Sequence, residues 1–516
     1  MQQSQSKQQV GGILGFIERI GNKIPDITIL FISAFLLVCV VSAVLAQIHF
    51  NYVHPATGRP IEITNMLSGK ALVDLMSKMV TNYANFPPLS MVIVATLGIG
   101  IADGSGYINT GLKKILSITP KVLITPVVIL VGMLSHLGPD SGYVIIIPIA
   151  AYMFYAVGKH PLAGIDASFA GIAGAFAANY TPSAIDPVIQ GFTQSAAQII
   201  DPGYQVNVLC NYFYAFASTF IVIGACWWVT EKITNPWLWK ACPLDDDLDL
   251  GNENNSSITP SENRAFKIAT AVLLLMLTGL AAALYPADSI LRAPDGVIAS
   301  FKAPIMQSIV SLIFIFAALV GLVYGIACGK FKSPKDVTAA MEEITKTLVQ
   351  LIVFYFFAAQ FLYAFGASNM GALIAVSGAE FLKSLNLPPQ VTVFGIIVFV
   401  ALLNLIITSA SAKWAILAPI FVPMLMAVGI APELTQVAFR VSDSAVNVVT
   451  PMFAFYPLII LYCQKYVKNA GIGTLSSMML PYTIALLVSL TFMLYLFWWL
   501  DIPLGFQADY VYPRRF

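Results

Sequence analysis

Long runs of apolar residues dominate the chain and predict a set of membrane-spanning helices. A helix needs about 20 mostly apolar residues to cross the hydrocarbon core of a bilayer. Seven runs reach that length without interruption. They lie near residues 27–48, 88–112, 207–230, 265–285, 303–328, 347–365 and 478–500.

Two further apolar segments, 163–200 and 434–464, are longer and contain prolines in their interiors. Proline lacks the backbone N–H and clashes with the preceding turn, so each segment is predicted to be a broken span. Together with the seven uninterrupted runs they give a predicted total of nine spans. The interrupting prolines are Pro182, Pro187, Pro451 and Pro457.

Two pairs of shorter apolar segments are predicted to be re-entrant helical hairpins. The first pair, 122–138 and 142–158, meets at a Gly-Pro-Asp-Ser-Gly tip. The second pair, 389–408 and 412–429, meets at Thr-Ser-Ala-Ser-Ala-Lys. Non-helical backbone is tolerated at membrane depth only where protein or a water-filled cavity surrounds it, so both tips are expected to be enclosed.

The second arms of the two hairpins resemble each other, which predicts an internal repeat. Five spans lie between the hairpins, and this odd number makes the repeats inverted. Inverted repeats with broken helices are a design of secondary transporters. Residues 122–200 and 389–464 are therefore predicted to form the transport part, and the remaining spans a scaffold. The matching positions, 271 residues apart, are Pro148 and Pro419, Met153 and Met424, and Gly158 and Gly429.

Composition and charge agree with a polytopic, all-α membrane protein forming one unit over 1–516. Charged residues make up 10 % of the chain and hydrophobic residues 58 %, against about 25 % charged residues in a soluble domain. A soluble enzyme is therefore excluded, and the net charge of +1 leaves no basic field for nucleic acid. The one sizeable polar stretch, 231–263, is predicted to be an acidic cytoplasmic linker.

Lysine and arginine clusters predict the orientation in a bacterial cytoplasmic membrane. They fall near residues 7–23, 113–121, 330–335 and 465–468, at alternate ends of the spans. The positive-inside rule then places the N-terminus in the cytoplasm and the C-terminus outside. No GxxxxGK[ST] motif occurs in the sequence, so energy is expected from an ion gradient or a separate partner chain.

One polar stripe runs along the second broken span. Its members follow helical spacing, and an arginine or aspartate at a helix centre costs about 2.5–3.5 kcal/mol on insertion scales. Either Arg440 and Asp443 pair to fix helix packing, or Arg440 binds a solute carboxylate while Asp443 carries a proton or sodium ion. The stripe comprises Arg440, Asp443, Ser444, Asn447 and Pro451.

A second stripe is predicted on the first broken span, at Asn179, Ser183, Asp186 and Gln190. Unwound carbonyls and a carboxylate are the oxygen ligands that a hard cation takes, so sodium is one interpretation. The other is that these side chains satisfy backbone groups freed by the prolines.

Residues that could contact a solute are also expected near the hairpin tips. Trp414 either stacks on an aromatic solute or packs within the protein. Asn404 lies seven residues before Ser411 and is expected on the same helical face. Lys413 places a cation beside Trp414, where it would alter the charge preference for solute. His136 is expected to be a structural group on an apolar helix.

Four sequence stretches resemble the p-aminobenzoyl-glutamate transporter (AbgT) family, and the likeness covers nearly the whole chain. It is greatest for the branch linked to sulfonamide efflux. The stretches are Glu-Arg-Ile-Gly-Asn-Lys at 18–23, Ala-Ser-Ala-Lys-Trp at 410–414, Phe-Arg-Val-Ser-Asp-Ser at 439–444 and Leu-Pro-Tyr at 480–482.

The resemblance implies an ion-transporter-superfamily-like homodimer with nine transmembrane helices and two hairpins in each protomer. It implies coupling to the proton motive force, with a sodium ion near the broken helices and no other cofactor. The sodium ligands are expected among Asn179, Asp186 and Asn404. The implied transport residues are Asp186, Asn404, Ser411, Trp414, Pro432, Arg440, Asp443 and Pro451.

The function expected from these observations is ion-coupled, elevator-type transport, with export as the favoured direction. The expected solutes are p-aminobenzoyl-glutamate, p-aminobenzoate-like folate precursors or sulfonamides. An importer of p-aminobenzoyl-glutamate and a channel remain alternatives. A membrane enzyme would need a nucleophile–base or metal set, and the sequence has no HExxH motif or paired histidine cluster.

Overall fold

The computed structural model describes residues 25–54, 58–135, 141–183, 185–245, 258–300 and 302–513. Helices make up most of this part, and no β-strand occurs in it beyond isolated bridges. Several sequence predictions lie outside the described residues. They concern the N-terminal cluster with Arg19 and Lys23, the first hairpin tip with His136 and Asp140, and the acids Asp246, Asp247 and Asp249 of the predicted linker.

Twenty-one α-helices follow one another in the described residues. The first eleven are α1 Ile27–Leu45, α2 Gly69–Ala84, α3 Pro87–Ser105, α4 Tyr107–Ser117, α5 Ile124–Leu134, α6 Ser141–Ala156, α7 Pro161–Phe169, α8 Ile185–Ala197, α9 Tyr212–Val229, α10 Asn235–Ala241 and α11 Pro260–Leu284. The others are α12 Pro304–Gln307, α13 Ile309–Cys328, α14 Pro334–Lys346, α15 Val349–Ala367, α16 Met370–Ser384, α17 Pro389–Asn404, α18 Ala410–Met426, α19 Pro432–Val446, α20 Tyr456–Gln464 and α21 Ile472–Trp499.

Each of the seven predicted uninterrupted spans coincides with a helix long and apolar enough to cross a membrane. These helices are α1, α2 joined to α3, α9 joined to α10, α11, α13, α15 and α21. Two outcomes differ from the sequence prediction. Helix α2 precedes the predicted span 88–112 and has no counterpart among the predicted apolar runs, and Ser68 caps its first turn by accepting from Ala71 N at 3.4 Å. The predicted linker is also narrower, because helix continues to Ala241 and begins again at Pro260.

The arms of both predicted hairpins are helical. They correspond to α5 with α6 and to α17 with α18. Each first arm is reached through a sharp bend, of 120° between α4 and the segment Lys121–Leu134 and of 117° between α16 and α17. Counting each bent pair as one span would bring the described helices to nine candidates. The predicted set of nine spans is a different one, because it added the two proline-broken segments, 163–200 and 434–464, to the seven uninterrupted runs.

Both predicted broken spans are interrupted in the structure. Helix α7 ends at Phe169 in a π-helical turn, and α8 begins only at Ile185, whereas α19 ends at Val446 and α20 begins at Tyr456. Pro182 and Pro451 lie in these breaks. The prediction is wrong for Pro187 and Pro457, which lie in the first turns of α8 and α20. The first turn tolerates proline because its N–H groups have no partner within the helix.

Packing separates a buried centre from exposed outer helices. Every residue of α19 is buried. By contrast, α11 buries only Ala265 and Ala269 and exposes Leu274 and Leu275. Helix α3 approaches α13 so closely that a Cβ added at Gly98 would lie 2.4 Å from the Phe314 carbonyl oxygen. Small residues at such crossings let two apolar helices pack backbone to backbone.

Candidate functional site

A buried ion pair joins the two broken spans. Arg440 Nη1 in α19 lies 2.6 Å from Asp186 Oδ1 in α8, and the side chains are 5 % and 12 % exposed. The structure therefore brings together two predicted site residues separated by 254 positions. The ion pair considered between Arg440 and Asp443 within one helix is not formed.

The loop before α8 holds the other oxygen of Asp186. Oδ2 accepts from the Ser183 backbone N at 2.7 Å and from Ser183 Oγ at 3.0 Å. Ser183 and Asn179 lie in the non-helical break, so the predicted helical stripe from Asn179 to Gln190 is wrong over its first half. Pro182 lies between these two residues and lacks the backbone donor that a continuous helix would need there. Only Asp186 and Gln190 share α8.

A second buried ion pair lies within the second half. Lys413 Nζ in α18 is 2.6 Å from Asp443 Oδ1 in α19, and each side chain is 1 % exposed. This is a charge contact without hydrogen-bond alignment, and neither Asp443 oxygen has a hydrogen-bond partner within the described residues. The sequence had singled out Lys413 only as a cation beside Trp414, so the charge balance of Asp443 is a finding of the structure.

Asn404 connects α17 to this ion pair. Its Nδ2 donates to the Asp443 carbonyl oxygen at 2.7 Å and to Asn447 Oδ1 at 3.0 Å, and its Oδ1 accepts from Lys413 Nζ. Asn404 is the last residue of α17, whereas Ser411 lies in the first turn of α18. The expectation that these two share a helical face is therefore wrong, because the chain unwinds between the two helices.

Trp414 packs inside the protein. It is fully buried, stacks on Phe439 with ring centroids 4.4 Å apart, and donates from Nε1 to Thr193 Oγ1 at 2.9 Å. Thr193 lies 2.6 Å from Gln436 Oε1, and Gln436 Nε2 donates to Asn211 Oδ1 at 2.6 Å. Trp414 thus belongs to a polar chain that links α18, α8 and α19.

The remaining predicted residues shape the backbone around these contacts. Pro432 begins α19, and Pro451 lies just after it in the break. Ser444 joins α19 to the first break, since its Oγ donates to the Gly174 carbonyl oxygen at 2.6 Å and accepts from Ala177 N at 2.9 Å. A side chain of α19 thus satisfies backbone groups that the first broken span releases.

The space beside the Arg440–Asp186 pair is small. Asn179, Asn211 and Tyr212 line a cavity there with a volume of about 10 Å³. A cavity of roughly 10–15 Å³ holds one water. This cavity is therefore too small for an aromatic solute.

The three predicted sodium ligands do not form one site. Asn179 and Asp186 line the same small cavity, but Asn404 belongs to the Lys413–Asp443 group. Hard cations bind through oxygen atoms. Both Asp186 oxygens already contact donors, from Arg440 and Ser183, and Asn404 Oδ1 contacts an ammonium group. Arranged in this way, these residues do not fit a sodium ion.

Several buried polar residues were missed in the sequence. Gln436 lies one turn before Arg440 on the same face of α19, and Thr193 lies two turns after Asp186, so extending the two stripes would have found both. Tyr204 donates to the fully buried Glu433 at 2.9 Å. Asp166 in α7 is fully buried, and its carboxyl oxygens have no hydrogen-bond partner within the described residues. A lone acid in an apolar run was the available signal.

The chain matches the AbgT putative transporter family over residues 12–512. It is 32 % identical over 511 residues to the p-aminobenzoyl-glutamate transport protein of Escherichia coli, covering 99 % of this chain and 98 % of that protein. Both likenesses extend over nearly the whole length.

Two solved structures are similar to this one. The YdaH transporter of Alcanivorax borkumensis, described as having an unusual topology, has a TM-score of 0.87 at 36 % identity, covering 93 % of this chain and all of that one. The second is MtrF of Neisseria gonorrhoeae, which represents a class of antimetabolite efflux pumps. Its TM-score is 0.90 at 39 % identity, and the match covers 96 % of this chain and all of that one.

Proposed function

The chain belongs to the AbgT transporter family, and from that premise we propose that it is an ion-coupled secondary active transporter that exports aromatic carboxylates or sulfonamides. The carboxylate solutes follow from the similarity to a p-aminobenzoyl-glutamate transport protein, and the sulfonamides follow from the sequence resemblance together with the similarity to an antimetabolite efflux pump. Export is favoured because the antimetabolite efflux pump is 39 % identical to this chain, whereas the p-aminobenzoyl-glutamate transport protein is 32 % identical.

One observation carries the assignment of the solute site. Arg440 uses Nη1 for Asp186, while its buried Nη2 has no hydrogen-bond acceptor within the described residues. A guanidinium group can hold a carboxylate through two parallel N–H···O bonds. Arg440 therefore has an unused donor in a buried position, where an anionic solute group would be bound strongly.

Binding of a solute carboxylate would compete with Asp186 for Arg440. Two carboxylates cannot share one buried guanidinium without an uncompensated negative charge. Solute binding and the Arg440–Asp186 pair would therefore exclude each other, so the charge state of Asp186 would control whether Arg440 is available to the solute. This competition would link the solute to the coupling ion, and it makes Asp186 the ion-handling residue of the proposal.

Movement of the transport part against the scaffold is the expected cycle. Residues 122–200 and 389–464 contain the hairpins, the broken spans and both ion pairs. Exposed apolar helices such as α11 would face lipid or the second protomer of a homodimer. The cavity beside Arg440 is too small for an aromatic solute, and in the proposed cycle an elevator-type displacement would enlarge it.

The proposal is tested by flux in proteoliposomes. Labelled p-aminobenzoyl-glutamate, p-aminobenzoate and a sulfonamide would each be followed while proton and sodium gradients are imposed and reversed. Arg440→Ala should abolish saturable, gradient-driven flux of the carboxylate solutes. Lys346→Ala is the matched control, since its side chain is 71 % exposed on α14 and its loss should leave flux unchanged.

The outcomes separate the alternatives. Solute that moves uphill against the direction of the imposed ion gradient indicates export by exchange, whereas solute that moves uphill in the same direction as the ion indicates import. A channel would show no gradient-driven counterflow. Full flux by Arg440→Ala would refute the assigned solute site.

A further inference from the structure

The Lys413 ammonium group is surrounded by protein oxygens. Asp443 Oδ1 lies 2.6 Å away, the Ile407 carbonyl oxygen 3.1 Å away, and Asn404 Oδ1 is also in contact. The three residues come from the end of α17, the unwound segment after it, and α19. The lysine is 1 % exposed, so this group lies inside the protein.

The chemistry of these oxygens is that of a cation site. They comprise a carboxylate, a side-chain amide and a backbone carbonyl, which are the ligand types that hard cations take. The Ile407 carbonyl is available because the helix has ended at Asn404, and such unwound carbonyls coordinate cations in transporters with broken helices. The Phe439 ring, with its centroid 5.7 Å from the ammonium nitrogen, adds a fourth attractive surface.

Lys413 does more than neutralise Asp443. An ion pair needs only the carboxylate, yet this ammonium group also contacts two uncharged oxygens. A carbonyl or amide oxygen that leaves water without a partner is costly, and the cation at this position contacts the Asn404 oxygen and the partly buried Ile407 carbonyl as well as the Asp443 carboxylate. The mismatch with sodium described above has its physical cause here, since the predicted sodium ligand Asn404 already contacts a covalently attached cation.

We infer that Lys413 is a built-in cation that occupies the place of a sodium ion, so that the Asn404–Ile407–Asp443 group binds no sodium in the natural chain. Removing the ammonium while keeping Asp443 would leave a site for a monovalent cation. The inference rests on the proposed function, because it identifies which part of the transport site takes no ion from solution. Ion coupling would then depend on the Asp186 side of the site.

The test is thermal unfolding of the purified full-length protein in detergent. The wild type and Lys413→Met would be titrated with sodium chloride against choline chloride at constant ionic strength. Methionine keeps the length of the side chain and removes the charge. We expect Lys413→Met to unfold at a lower temperature in choline and to gain a saturable rise of about 5 °C in sodium beyond any wild-type response. Coinciding sodium titrations of the two proteins would overturn the inference.

A second variant covers the case in which Lys413→Met does not fold. Lys413→Met/Asp443→Asn removes both charges, and replacing a buried pair is tolerated better than breaking it. Because sodium does not bind at this group in the natural chain, the double variant should keep whatever sodium response the wild type shows. Loss of a wild-type response in the double variant would place sodium at Asp443 and refute the inference.

This measurement is independent of transport. It uses no solute and no gradient, so a chain that fails the flux experiment can still show the new sodium site. Conversely, normal gradient-driven flux together with coinciding sodium titrations would retain the proposed function and reject the role of Lys413.

Discussion

For the Arg440–Asp186 ion pair, the structure gives a sharp prediction of what its removal costs in free energy of unfolding. Asp186→Asn keeps the size of the side chain and an oxygen for the Ser183 donors, but it removes the negative charge. Arg440→Met removes the positive charge and keeps much of the apolar stem. The two single variants and the double variant form a thermodynamic cycle.

The magnitude follows from burial and distance. Arg440 Nη1 and Asp186 Oδ1 are 2.6 Å apart, and the exposed fractions of 5 % and 12 % leave little screening by water. Breaking a buried pair by removing one partner costs about 3–5 kcal/mol, because the other charge stays uncompensated. Removing both charges avoids that penalty. We therefore expect the double variant to lose about 2 kcal/mol less than the sum of the single losses.

Reversible chemical unfolding in mixed micelles, followed by tryptophan fluorescence, would measure the free energy of unfolding of all four proteins. Additive losses would refute the reasoning, since they would show that the two side chains do not interact across the broken spans. Single losses below about 1 kcal/mol would do the same, because that value is typical of a solvent-exposed pair.

Three further predictions concern the packing that supports this site, and the free energy of unfolding measures each. Ser444→Ala should lose about 1–3 kcal/mol, because a carbonyl and an N–H of the first break lose their partner. Ser442→Ala is its control and should change little, since that hydroxyl bonds only within its own helix. Trp414→Phe should lose about 1 kcal/mol by keeping the stacking on Phe439 and losing the Nε1 hydrogen bond, and a loss as large as that of Trp414→Ala would contradict this. Gly98→Ala should lose about 1–3 kcal/mol through the clash between α3 and α13. Gly279→Ala, with open space around it, should be tolerated, and equal losses at both glycines would contradict the close approach.

The sequence by itself determined which segments of this protein are long and apolar enough to be membrane-spanning helices. Apolar runs identified the seven uninterrupted spans because the thickness of the membrane sets the number of apolar residues that a spanning helix needs, and that number can be counted in the sequence. Pro182 and Pro451 located the two breaks because proline removes a backbone donor wherever it stands inside a helix. The same rule failed at Pro187 and Pro457, since the first turn of a helix needs no such donor and local sequence does not show where that turn begins.

The charge partners were decided only by the tertiary structure. The sequence identified Arg440, Asp443 and Asp186 as charges that are costly at membrane depth. Helical spacing suggested a pair between Arg440 and Asp443, which lie three residues apart. The structure instead pairs Arg440 with Asp186 and Asp443 with Lys413. Periodicity places residues on a face of one helix, whereas the partner of a buried charge depends on which other helix packs against that face. That choice is made by long-range packing, which no local pattern records.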